Sequence, residues 1–167
     1  MKKYELTEET VTVYGKTLYR IRAVRDFGSV KTGEFGGYIE KEENLSHFGN
    51  AWISGDARVF DNAKVYGDAR VSGDAWVYGN AWVYGNAEVF NTRHFFVQGP
   101  IGSRDGYVTF YRTKDDTIGV RCGCFSGSLQ KFVDRVEETH GGSRYEKEYK
   151  IAAELAKVCI RLEGESR

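Results

Sequence analysis

Residues 49–90 repeat one six-residue phrase seven times: GNAWIS, GDARVF, DNAKVY, GDARVS, GDAWVY, GNAWVY, GNAEVF. A fixed internal period decides the architecture before any propensity argument applies. The third residue of each unit is alanine, from Ala51 to Ala87, and the fifth is β-branched, from Ile53 through Val59 to Val89. Two small apolar positions separated by one residue make a short strand whose alternate side chains face inward. The Gly-Asp, Gly-Asn or Asp-Asn pair opening each unit is turn chemistry, because glycine and asparagine adopt left-handed backbone at little cost. Strand and corner alternating in this way describe a coil, not a hairpin meander.

Side chains three units apart then stack in columns roughly 4.8 Å apart, the spacing of neighbouring strands. The outward fourth residues form columns Trp52–Arg70–Glu88, Arg58–Trp76–His94 and Lys64–Trp82. The sixth residues add Ser54–Ser72–Phe90, Phe60–Tyr78–Phe96 and Tyr66–Tyr84. So many aromatic rings on a thin solenoid mark an interface. Self-association explains them, and so does a ligand groove between protomers lined by Arg58, Trp76 and His94.

These hexads resemble the hexapeptide-repeat family, whose fold is a left-handed parallel β-helix with three hexads per turn and whose members assemble as trimers about a three-fold axis. The resemblance implies a mainly β protein, a short β-helix of about three coils in a homotrimer. Function does not follow, because the family includes acyltransferases, carbonic-anhydrase-like enzymes and proteins without known chemistry. The preceding segment, RIRAVRDFGSVKTGEFGGYIEKEENLSHFGNAW, resembles the leader of a hexapeptide-repeat group common in phage and prophage genomes and described as transferases. It implies a phage or mobile-element origin.

The flanks divide the chain into an N-terminal hairpin and cap (1–36), the repeat (37–97), a linker (98–106) and a C-terminal ββαα domain (107–167). The β-rich runs 10–14 and 17–24 surround Gly15-Lys16 and read as a hairpin. Arg20, Arg22 and Arg25 form a basic cluster there, either a solvated strand face or an anion contact. Extending the register backward puts Ile39 and Leu45 at alanine positions and Lys41 and His47 at the inward branched positions, a degenerate coil of the kind that caps a repeat. After the repeat, Arg93 and Phe95 replace alanine and valine and plug the open end. Pro100 and three glycines mark the linker. Strands over 107–113 and 117–122 flank a Lys114-Asp115-Asp116 turn. Ser128 is placed to cap a helix, His140-Gly141-Gly142 stops it, and a second helix runs from about Arg144 to Leu162.

Lysine plus arginine and aspartate plus glutamate both number 24, so no global basic field draws nucleic acid polymers or anionic membrane. No apolar run approaches the ~20 residues of a membrane helix. The N-terminal MKKYELTEET lacks the apolar core of a signal peptide. Three cysteines without scaffold spacing fit a reducing cytosol, and the expected location is cytoplasmic, the host cytoplasm if phage-borne.

The densest polar constellation is Arg121-Cys122-Gly123-Cys124-Phe125-Ser126-Gly127-Ser128. It runs off a strand into a helix N-terminus, where free N–H groups and the helix dipole receive anions. Arg121, Cys122, Ser126 and Ser128 line it, with Arg104 and His140 close. An ordinary strand-to-helix turn explains the same residues. A zinc site needs four ligands, and Cys122, Cys124, Cys159 and His140 have no metal spacing, so neither a metal nor another cofactor is expected. Hexapeptide acyltransferases use a histidine base at the inter-subunit groove. The central units hold no histidine and no protruding loop, leaving His94 and His47 as the bases of that alternative. The leading expectation is a non-enzymatic homotrimer that binds a phosphorylated, nucleotide-like small molecule, with sequestration of a host immune signal as its purpose in a phage. A CoA-dependent acyltransferase and a structural or protein-interaction module are the alternatives.

Overall fold

A computed structural model describes residues 1–163. The backbone divides into two compact units, Met1–Thr92 and Arg93–Arg167.

The first unit opens with β1 (Tyr4–Val13) and β2 (Lys16–Ala23), an antiparallel hairpin with Tyr14 and Gly15 at its tip, both at positive φ. Arg20 and Arg22 pair with Glu9 and Glu5 across it, so internal carboxylates satisfy these two arginines. Strand β3 (Phe35–Ile39) pairs with β2 on one edge and starts the parallel stacking on the other.

Seven two-residue strands follow: β4 (Trp52–Ile53), β5 (Arg58–Val59), β6 (Lys64–Val65), β7 (Arg70–Val71), β8 (Trp76–Val77), β9 (Trp82–Val83) and β10 (Glu88–Val89). They visit three parallel sheets in rotation, β4-β7-β10, β3-β5-β8 and β6-β9. Trp52, Arg70 and Glu88 are in register, as are Arg58 with Trp76 and Lys64 with Trp82, which are the columns expected from the hexads. Every alanine at the third position and every branched residue at the fifth is 0 % exposed. Each buried valine contributes about 1.5–3 kcal/mol of apolar transfer energy, so these rungs are the main adhesive of the unit.

The corners close because Gly49, Gly55, Gly67, Gly73, Gly79 and Gly85 all have positive φ, and Asp61 takes that conformation where glycine is missing. Several stack backbone on backbone: a Cβ on Gly49 would lie 2.6 Å from the Gly67 carbonyl oxygen.

The leading coil departs from the extrapolated register. Ile39 pairs with Val59, and Leu45 bridges to Val65. Both therefore occupy branched-residue slots, not alanine slots, and Lys41 and His47 are not inward rungs. The offset falls from 20 residues at Leu45 to 18 at Ile53, so the two extra residues lie between them, after the 3-10 turn at Glu42–Asn44. The buried Asn44 side chain fixes that turn by donating from Nδ2 to the Asp61 and Ala63 carbonyls and accepting from Lys41 N–H.

In the second unit, β11 (Phe95–Ile101), β12 (Gly106–Arg112), β13 (Ile118–Cys122) and β14 (Phe125–Ser128) form one antiparallel meander in that order. Helices α1 (Leu129–His140) and α2 (Arg144–Cys159) follow. The stretch 98–106 is therefore not a linker: its first half completes β11, and the rest is the turn into β12. Pro100 is tolerated because β11 is an edge strand with one unpaired side. Phe110, Val120, Phe132, Val136, Ala152, Ala156 and Ile160 form the core. Both helices are capped as serine at N-cap dictates: Ser128 Oγ accepts from Lys131 N–H and Ser143 Oγ from Glu146 N–H.

Candidate functional site

The 121–128 segment is a hairpin, not an open turn. Arg121 pairs with Ser126 and Cys122 with Phe125, and Gly123 supplies the positive φ at the bend. Ser128 spends its hydroxyl on the α1 cap. Strand pairing of 121–122 with 125–126 and the cap on Lys131 N–H thus replace the open anion cradle expected of this segment. Arg104, Cys122 and His140 do come together, around a residue the sequence places only on a helical stripe: Tyr149. Its hydroxyl lies near enough to Cys122 for the thiol to act on it, its ring lies 5.6 Å from the His140 ring, and the Arg104 charge acts on it. Burial and the neighbouring thiol push Tyr149 up to about 12, and burial raises Cys122, so both hold their protons at neutral pH. Glu148 accepts from Gly102 N–H at 2.7 Å and adds negative charge. This cluster is a packed, protonated contact, poorly suited to an anion. Among the described residues no three His, Cys, Asp or Glu side chains gather as a metal set.

The two candidate bases are built into packing. His94 was expected to face outward beside Trp76. It is 3 % exposed, at the end of the 3-10 turn Thr92–His94, and burial with the Arg112 guanidinium lowers its pKa to about 4. The hexad register ends at that turn, so the outward assignment does not extend to it. His47 stacks on Tyr4 at 4.2 Å, accepts from Lys3 N–H at Nδ1, and keeps Nε2 buried 3.6 Å from Glu42. Neither ring offers a free basic nitrogen to a substrate.

Arg58 and Trp76 do pair, with the guanidinium 5.0 Å from the indole centroid. The chain itself then covers two of the solenoid's three faces. Tyr14 at the hairpin tip meets Trp76 edge-on at 5.9 Å and Phe60 at 6.4 Å. Phe27 meets Trp52 at 5.3 Å, leaving that indole 2 % exposed. The third face, β6-β9, keeps an accessible ring. Trp82 remains 37 % exposed, Lys64 Nζ sits 5.4 Å from its ring, and Tyr66 and Tyr84 lie 4.6 Å apart alongside. A shallow pocket of about 290 Å³ opens beside it, lined by Lys41, Glu43, Asn62, Ala63 and Lys64. The covering roles of Tyr14 and Phe27 had no signal in the repeat, since both lie outside it.

Together these features define a parallel β-solenoid with a mainly β second unit carrying two C-terminal helices. Residues 63–79, close to one turn, match the family model described as YdcK Beta solenoid repeat, which supports a β-solenoid repeat family. No curated protein matches the chain. No helix among the described residues is long and apolar enough to cross a membrane.

Proposed function

We propose that this chain is a non-catalytic binding protein, a homotrimer of short left-handed β-helices of about three coils that holds an anionic, nucleotide-like small molecule where its protomers meet. The observation behind this reading is the accessible Trp82 ring on the β6-β9 face, which lies under the Lys64 ammonium with Lys41 beside the adjoining pocket. An exposed indole offers a planar base a stacking surface worth about 1–3 kcal/mol. Two lysines offer a phosphate its counter-charge. The exposed part of the Trp82 ring is also a surface on which a neighbouring protomer would pack. The inaccessible nitrogens of His47 and His94 speak against the acyltransferase alternative. The leader's likeness to phage-borne proteins extends the proposal to purpose: sequestering a phosphorylated host signal in the host cytoplasm.

Native mass spectrometry of protein taken directly from cells tests this. The expected spectrum shows a trimer carrying a small mass that leaves unchanged on denaturation. A bare monomer that gives no thermal shift with a nucleotide panel would overturn the proposal.

A further inference from the structure

A second cationic site lies on the β4-β7-β10 side of the first unit. Lys3, Arg25 and Arg70 cluster closely enough that the two arginine charges act on the lysine ammonium. Lys3 is fully buried, and its Nζ donates to the Ala51 carbonyl at 2.6 Å and lies 4.9 Å from the Phe27 ring. The Arg25 guanidinium sits 5.9 Å from the same ring, and its Nε is buried without a hydrogen-bond partner. Arg70 reaches Ser29 Oγ at 3.3 Å.

Among the described residues, no carboxylate lies within ion-pair distance of any of the three cations. Asp26, next in sequence to Arg25, is held by Lys31 and Thr32. Asp68 accepts from the Asn50 side chain. Three like charges, one buried and two half-buried, repel one another, and no ion pair among the described residues offsets them.

The backbone opposite is shaped for close approach. Gly28 has φ +50, and a Cβ there would come within 3.2 Å of Arg70 Nη2 and 3.3 Å of Asn50 Cβ. Beneath the cluster, the Trp52 indole N–H is also buried without a partner.

We infer that Arg25, Arg70 and the Gly28-Ser29 turn form an oxyanion site of the phosphate class, with Lys3 as a buried counter-charge beneath it. Two guanidinium forks match the oxygens of a phosphate dianion, and the Ser29 hydroxyl adds a neutral donor. Lys3 acts through its charge, because backbone carbonyls already occupy its ammonium. The site is separate from the β6-β9 face and does not depend on the reading given to that face.

Calorimetry with inorganic phosphate, and separately with adenosine monophosphate, tests the inference on wild type, the Arg25→Gln/Arg70→Gln double variant and Trp82→Ala. Phosphate binding should weaken at least about tenfold per lost arginine in the double variant and persist in Trp82→Ala. In Trp82→Ala, equal affinity for the two probes identifies a free oxyanion as the ligand; tighter monophosphate binding identifies a phosphomonoester. An NMR titration of isotope-labelled lysine on wild type gives a readout independent of variant folding. Lys3, which burial and the two arginines lower to about 8, should move back toward the ordinary lysine range when phosphate is added. No heat and no movement of Lys3 would overturn the site, as would undiminished phosphate binding in the double variant.

Discussion

His94 is held neutral by burial and by the Arg112 guanidinium, with a pKa of about 4 against an ordinary value of 6.5. The unfolded chain takes up the proton first as pH falls, so the stabilising preference for neutral imidazole is complete above about 6.5 and is lost on acidification through about 4. The loss is on the order of 3 kcal/mol. Urea denaturation followed through the second unit should show this fall between those limits in wild type and a flatter profile in His94→Gln. The residue scale is also where sequence was least informative. The hexad pattern assigns each fourth residue outward, correctly for Arg58 and Trp82, but His94 follows a 3-10 turn and escapes the rule. Tyr149 showed only its helical spacing, whereas its hydroxyl depends on Cys122, distant in sequence.

At the scale of elements, the corners set the tolerance of the coil. Gly49 and Gly79 share φ +69, yet a Cβ on Gly49 meets the Gly67 carbonyl at 2.6 Å while one on Gly79 meets nothing within 4 Å. Left-handed backbone costs an alanine roughly 1–2 kcal/mol at either position. Gly49→Ala should therefore destabilise clearly more than Gly79→Ala in parallel thermal melts; equal losses would mean that stacked corners relax freely. Elements were legible where chemistry repeats. The alanine and valine positions gave strands, faces and columns together, and Ser128 gave the N-cap of α1. Strand β14 was hidden because Phe-Ser-Gly-Ser has little strand character and owes its form to pairing with β13. The leading coil slipped because the step from Leu45 to Ile53 is two residues longer than a hexad, which a register extended backward from the repeat does not reveal.

At the scale of the molecule, the unequal exposure of the three indoles bears on the proposed association. With Trp76 under Tyr14 and Trp52 under Phe27, Trp82 is the exposed indole of the three. Trp82→Glu places a carboxylate where a neighbour would pack and should convert the proposed trimer to monomer in sedimentation, with the first unit still folded because Val83 and its inward rungs are untouched. A trimer that survives this change would place the contact elsewhere. The resemblance to hexapeptide-repeat proteins anticipated the coil, while the allocation of faces came from segments before the repeat.

The in-register columns also govern how such a chain can change length. Doubling residues 73–90 would add a complete circuit, returning every later side chain to its own sheet while the hairpin keeps its grip on Phe60 and Trp76. Losing a single hexad would advance everything downstream by one sheet and bring Glu88 to the place of Trp82. Growth in whole circuits preserves the surface grammar, and growth in fractions scrambles it.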